Sequence, residues 1–102
     1  MKLNTEPNLA DPDAFYERLI DTHNGLEFDA SVALNERIVA ALRVLLGDAE
    51  AFEHALGLVG DSDATERDAK LVLLLANHIG DGPLLSASLA SARQHLCLVS
   101  AP

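Results

Sequence analysis

The sequence predicts an all-α fold, a five-helix bundle in which helical hairpins are joined by short Asp/Gly turns. Apolar residues make up 49% of the 102 residues but aromatic residues only 4%, so aliphatic side chains must form the core. Such a core suits packed helices better than a sheet. Apolar positions also recur at spacings of three and four, as on one face of a helix. A Gly-Asp pair, typical of one helix ending and the next beginning, occurs at residues 47–48 and again at 80–81.

The first predicted helix runs from Pro12 to about His23. The carboxylate of Asp11 can accept a hydrogen bond from a free amide of the first turn, and proline suits the first helical position. Asn24 and Gly25 end the helix, since glycine readily adopts the left-handed conformation of a C-terminal cap. The apolar face of this helix consists of Phe15, Tyr16, Leu19 and Ile20.

The second and third helices form the first predicted hairpin. Asp29 or Ser31 should open the second helix and Gly47 should end it. Asp48 can then cap the third helix, which Gly60 ends. The apolar positions of the second helix are Val32, Leu34, Ile38, Val39, Leu42, Leu45 and Leu46, and those of the third are Phe52, Leu56 and Val59.

The fourth and fifth helices form the second predicted hairpin. Asp63 and Glu66 have the spacing of a capping box, which predicts a helix from Ala64 to about Ile79. The sequence Asp81-Gly82-Pro83 then stops this helix and starts the fifth. The fifth helix has its apolar positions at Leu84, Leu85, Leu89, Ala92 and Leu96.

These elements predict an N-terminal arm at 1–10, one helical domain at 11–97 and a C-terminal tail at 98–102. The hairpins at 29–60 and 62–97 align without gaps at a shift of 33 residues. Duplication is one explanation of this alignment. The other is that any two capped hairpins of similar length align this well. The aligned pairs include Val39 with Val72, Leu42 with Leu75, Gly47 with Gly80, Asp48 with Asp81 and Leu56 with Leu89.

Charge and composition narrow the classes of partner. Seven basic and sixteen acidic residues give a formal net charge of −9, which repels nucleic acid and anionic lipid. The longest apolar run, Leu71–Ala76, is far shorter than the roughly 20 residues that a membrane span needs. The single cysteine, Cys97, excludes a disulfide within the chain, and residues 1–8 do not resemble a signal peptide. We therefore expect a cytoplasmic protein that binds neither nucleic acid nor membrane.

The run Leu71–Ala76 is apolar on every face of the fourth helix. Such a helix lies either at the centre of its own domain or under a second subunit. We expect the second arrangement, because a five-helix domain has little interior. The partner would be a second copy in a homodimer or a larger protein, and the predicted interaction residues are Leu71, Leu73, Leu74 and Leu75.

Asn77, His78 and Asp81 are the candidate catalytic or ligand-binding residues, since an imidazole beside two polar groups can relay a proton or bind an anion. Tyr16 or His23 would complete this site across a dimer interface. The structural alternative is stronger. His78 lies in the last turn of its helix, where it offsets the helix dipole, and Asp81 caps the next helix.

The chain offers little other chemistry. Glu50 and His54 stand one helical turn apart, but a metal site needs three or four ligands, so we predict neither a metal nor a cofactor. His95 and Cys97 point to different sides of a helix. A lone cysteine on a terminal helix is typical of a small buried hydrophobe rather than a nucleophile.

The stretch EPNLADPDAFYE at 6–17 with Gly25-Leu26, and the stretch KLVLLLANHIGD at 70–81, resemble the short bacterial proteins of domain-of-unknown-function family 2783. Members are shorter than this chain, so the segment 27–63 would be an extra middle hairpin. The family has no established activity. Similar proteins are encoded beside flavin-dependent hydroxylases of aromatic degradation, so the resemblance implies a small accessory subunit.

The main functional hypothesis is therefore a non-enzymatic interaction protein or accessory subunit. The first alternative is a small-molecule binder or minor enzyme that uses the junction of Asn77, His78 and Asp81. A further alternative, supported by the net charge alone, is an acidic regulatory partner of a basic protein.

Overall fold

A computed structural model of the chain describes residues 3–60 and 63–100, and from residue 95 onward the backbone alone. In these residues the chain forms five α-helices and no strand, which confirms the predicted all-α fold. The helices are α1 (Pro12–His23), α2 (Phe28–Leu46), α3 (Ala49–Val59), α4 (Ala64–Ile79) and α5 (Gly82–Ser100).

The helix boundaries follow the capping residues closely. The carboxylate of Asp11 accepts a hydrogen bond from the backbone N–H of Ala14 at 3.1 Å, at the predicted start of α1. Helix α2 begins earlier than predicted, at Phe28, because the backbone carbonyl of Glu27 already accepts the N–H of Ser31 at 2.9 Å. Helix α5 extends to Ser100, beyond the expected start of the C-terminal tail.

Each hairpin has one turn between its two helices, and the two turns are built in the same way. Gly47 (φ +63°) and Gly80 (φ +70°) end α2 and α4 in the left-handed conformation. Asp48 accepts the backbone N–H groups of Glu50 and Ala51, each at 3.1 Å. Asp81 caps α5 in the same way. Both hairpins therefore have the predicted glycine stop followed by an aspartate cap.

The two hairpins interlock. Helices α2 and α4 pack against each other at the centre of the described residues, α5 lies on α2, and α3 lies on α4. Within each hairpin, by contrast, α2 and α3 share few contacts and α4 and α5 almost none. The second helix of each hairpin is thus held by the first helix of the other. Helix α1 packs on α5.

Helix α4 is central within its own chain. Leu71 is 2% exposed and Leu75 is fully buried, because α2 covers one side of α4 and α3 the other. The buried face of α3 carries the small residues Ala51 and Ala55, which let α3 approach closely. The expectation that a second subunit covers the apolar run is therefore wrong for Leu71 and Leu75. Leu73 and Leu74 of the same helix are half-buried and pack against the edge of this core.

Candidate functional site: the arm junction and two apolar grooves

The N-terminal arm is bound to the end of α4 by Asn77. The side-chain amide of Asn77 donates to the backbone carbonyl of Glu6 at 2.8 Å and to that of Asn4 at 3.3 Å. Its oxygen accepts the backbone N–H of Asn8 at 2.9 Å. One side chain of α4 thus pairs with three backbone groups of the arm, in the manner of a neighbouring strand. Leu3 adds an apolar anchor, since it is 5% exposed and belongs to the core.

Asn8 binds the junction from the other side. Its side-chain N–H donates to the backbone carbonyls of Asn77 at 2.9 Å and of His78 at 3.1 Å. These carbonyls belong to the last turn of α4, where no intrahelical donor reaches them. Asn8 lies so close to Gly80 that a Cβ there would meet its side chain, with Cγ only 3.1 Å away. Glycine is therefore required at position 80 for its conformation and for the space it leaves.

Two histidines bind the backbone of residues 3 and 4 of the arm. The Nδ1 atom of His78 accepts the backbone N–H of Asn4 at 2.7 Å, and Nδ1 of His54 accepts that of Leu3 at 3.1 Å. In each of these bonds the ring faces the arm with an acceptor nitrogen, so two histidines of different helices bind adjacent backbone groups of the arm.

The structure thus places the candidates Asn77, His78 and Asp81 in structural hydrogen bonds. Asp81 caps α5 by accepting the backbone N–H of Leu84 at 3.1 Å. None of the three lines the neighbouring depression of about 500 Å³, which lies between the arm, α1 and the start of α5. The cap at Asp81 is the one that the structural alternative predicted, but the role of His78 is different. His78 holds the arm, and Asn8 satisfies the carbonyls at the end of α4.

Glu50 and His54 lie one turn apart on α3. His54 holds Leu3, and the described residues contain no group of three or more His, Cys, Asp or Glu side chains that could hold a metal ion. The side chains of His95 and Cys97 lie outside the described residues.

A groove of about 610 Å³ runs between α1, the start of α2 and α4, and we call it the α1–α4 groove. Two large apolar side chains of α1 stand at this groove, Tyr16 at 47% and Ile20 at 66% exposure. Leu73 of α4, one of the predicted interaction residues, lines the same groove. The apolar side chains that line the groove are Tyr16, Leu19, Ile20, Leu26, Ala69, Val72 and Leu73.

His23 supplies a polar group in the α1–α4 groove. Its Nε2 lies 2.9 Å from the side-chain oxygen of Asn35. Burial lowers the pKa of His23, the hydrogen bond to Asn35 opposes this, and the charge of Arg93 lowers it further. Arg93 itself donates to the backbone carbonyls of Thr22 at 2.7 Å and Asn24 at 3.2 Å at the end of α1. Sequence spacing gave no indication of this contact, because about 70 residues separate the partners.

A second groove, of about 730 Å³, lies at the corner of α2 and α3, and we call it the α2–α3 groove. Val44 lies at this groove and is 82% exposed. The guanidinium of Arg43 lies over the ring of Phe52, 4.7 Å from the ring centre. Glu36, Val39, Ala40, Arg43, Val44, Gly47, Asp48, Ala49 and Phe52 line the groove.

Comparison with known proteins identifies a family. Its sequence profile, described as a protein of unknown function (DUF2783), matches residues 3–61 and, separately, residues 57–94. The first match includes α2 and α3, the segment that the sequence resemblance left outside the family pattern. No curated protein and no solved structure matches the chain. Within the described residues, no helix combines the length and apolar character needed to cross a membrane. Since the matches cover most of its length, the chain belongs to the DUF2783 family.

Proposed function

We propose that the chain is a small non-enzymatic interaction protein, an accessory subunit that binds a larger protein through the α1–α4 groove. The observation that carries this proposal is the exposure of Tyr16 and Ile20 beside the half-buried Leu73. Large apolar side chains grouped around a depression are typical of protein-binding surfaces. Covering one such side chain contributes roughly 1–2 kcal/mol.

The acidic surface indicates the chemistry of the partner. A chain with a formal charge of −9 attracts a protein that carries basic residues around an apolar patch. The same charge opposes the approach of a second copy, so a larger partner is favoured over a homodimer. The family resemblance adds a candidate partner, a flavin-dependent oxygenase in the bacterial cytoplasm.

The alternative function, a small-molecule binder or minor enzyme at Asn77, His78 and Asp81, has less support. Asn77 and His78 bind the backbone of the arm, and Asp81 caps α5. A substrate at this junction would have to displace the arm.

The test is a pull-down of the tagged protein from lysate, combined with light scattering of the purified chain. We expect one larger protein in stoichiometric amount from the unchanged chain and its loss with Ile20→Glu. Leu58→Glu is the matched control, because Leu58 is also exposed, at 51%, but lies on α3 away from this groove. A stable homodimer that captures no other protein, or equal capture by both variants, would contradict the proposal.

A further inference from the structure

We propose that the α2–α3 groove is a second docking site, which receives an amphipathic helix of a partner protein in the way that the α4–α5 hairpin receives α1. This inference concerns a different surface from the α1–α4 groove and does not depend on the function proposed there. It follows from a comparison of the two hairpins, of which one is covered by α1 and the other is open.

The hairpins correspond at a shift of 33 residues in structure as well as in sequence. Gly47 and Gly80 have nearly equal φ angles, +63° and +70°, and each is followed by a capping aspartate. On the first helix of each hairpin, Ile38 and Leu71 are buried at corresponding positions. The packing of α1 on the second hairpin can therefore be used, position by position, to infer what the first hairpin binds.

At the turn, helix α1 covers the second hairpin with Phe15. Phe15 is 6% exposed and lines the same depression as Gly80 and Leu85. Their counterparts in the first hairpin are Gly47 and Phe52, and both line the α2–α3 groove. In the described residues, the guanidinium of Arg43 lies over the ring of Phe52, but no apolar side chain from another helix takes the place of Phe15 there.

Further along α1, Leu19 lies beside the second hairpin. Leu19 lines the α1–α4 groove together with Val72 and Leu73 of α4. The counterparts of these two residues are Val39 and Ala40 of α2, and both line the α2–α3 groove. The α2–α3 groove thus joins in one open surface the positions that correspond to the surroundings of Phe15 and Leu19, which lie one helical turn apart on α1.

Corresponding residues of the two hairpins differ in burial, as expected if a helix covers the second hairpin and not the first. Leu85 and Leu89 of α5, which packs on both α1 and α2, are 0% and 2% exposed. Their counterparts on α3, Phe52 and Leu56, are only half-buried. The first hairpin therefore lacks the cover that completes the core around the second, and a helix bound there would bury the remaining apolar surface.

The groove also indicates the chemistry of the bound helix. It needs two apolar residues four positions apart, the spacing of Phe15 and Leu19, which places them on one face. The charged lining residues are Glu36, Asp48 and Arg43, so acids outnumber bases there, and the formal charge of the chain is −9. The outer face of the bound helix should therefore be basic. Val44 occupies the position that corresponds to Asn77, which binds the arm in the second hairpin. At that end the bound helix would therefore make an apolar contact instead of hydrogen bonds.

The experiment uses a synthetic peptide of residues 11–24 as the probe, with Asp13, Glu17 and Asp21 replaced by lysine. All three acids are exposed in the structure, so the changes leave the apolar face intact and make the outer face basic. We expect the peptide to bind the full chain one to one and to shift the NMR signals of the α2–α3 groove. A second peptide, with serine in place of Phe15 and Leu19 and the same lysines, should not bind.

Variants of the chain locate the binding site. Val44→Glu places a carboxylate in the apolar contact and should weaken binding by about tenfold or more, whereas Leu58→Glu should leave it unchanged. Ile20→Glu, which tests the α1–α4 groove, should also leave it unchanged, so the two proposals can fail separately. Absence of binding at millimolar peptide, equal binding by the Val44→Glu variant, or shifts confined to α5 through displacement of α1 would each overturn the proposal.

Discussion

Substitution of the two turn glycines tests whether the N-terminal arm is part of the folded structure. Gly47 and Gly80 occupy equivalent turns with nearly equal φ angles, so alanine brings the same backbone strain at each. Their surroundings differ. A Cβ at position 47 would have its nearest neighbour at 4.0 Å, the carbonyl oxygen of Val44, whereas a Cβ at position 80 would collide with Asn8. Gly47→Ala is therefore a matched control for Gly80→Ala.

The expected difference follows from the hydrogen bonds of Asn8. The left-handed conformation costs an alanine about 1 kcal/mol at either turn. At position 80 the Cβ also expels Asn8, which donates to the carbonyls of Asn77 and His78. Each of these bonds contributes about 0.5–1.5 kcal/mol net. We expect Gly80→Ala to lower the free energy of unfolding by about 2–4 kcal/mol and Gly47→Ala by about 1 kcal/mol.

Urea denaturation followed by circular dichroism gives both free energies, and limited proteolysis reports cleavage within residues 3–10. Gly80→Ala should expose the arm to protease, and Gly47→Ala should not. In a chain that already carries Asn8→Ala, the effect of Gly80→Ala should fall toward that of Gly47→Ala, because the contact with the Asn8 side chain is gone and only the 3.1 Å contact with the backbone oxygen of residue 8 remains. Losses of stability at positions 47 and 80 within about 0.5 kcal/mol of each other would refute the role assigned to Asn8.

Three further substitutions test charges and caps. Burial lowers the pKa of His23 below 6.5. The neutral side chain therefore stabilises the fold fully above that pH, and this stabilisation is lost as the pH falls. His23→Gln should remove this loss, which urea titrations between about pH 7 and pH 5 would measure. Burial raises the pKa of Asp68 above 3.8, with Arg67 opposing and Glu36 reinforcing the rise, so the ionised form is disfavoured at neutral pH. Asp68→Asn should therefore stabilise the chain at pH 7 and have no effect near pH 3. A loss of stability at pH 7 would contradict this sign. Arg93→Gln removes the donor at the end of α1 and should cost about 1–2 kcal/mol in urea denaturation, mostly independent of pH.

The helices could be predicted from the sequence because their ends are set locally. Asp11, Asp48, Asp63 and Asp81 each cap a helix through backbone N–H groups two or three residues ahead, and such contacts depend only on spacing. Helix α2 is the exception. It begins at Phe28 without a side-chain cap, so the acceptors at Asp29 and Ser31 gave a later start.

The role of the arm junction could not be predicted in this way. The partners of Asn77 and His78 lie about 70 residues earlier in the chain, and their pairing appears only when α4 and the arm meet in the fold. The centre of the bundle posed the same difficulty. Periodicity showed that Leu71 and Leu75 need cover, but only the interlocking of the hairpins shows that the chain itself provides it.

Stability and docking should therefore respond to different substitutions in this chain. The arm and α1 complete the α4–α5 hairpin through buried anchors such as Leu3 and Phe15, so changes there lower the stability of the fold. Ile20 and Val44, by contrast, are 66% and 82% exposed, and substitutions at such sites usually change stability by no more than about 0.5 kcal/mol. Loss of a partner with Ile20→Glu or Val44→Glu can thus be attributed to the groove and not to unfolding, provided that the variant retains its unfolding midpoint in urea.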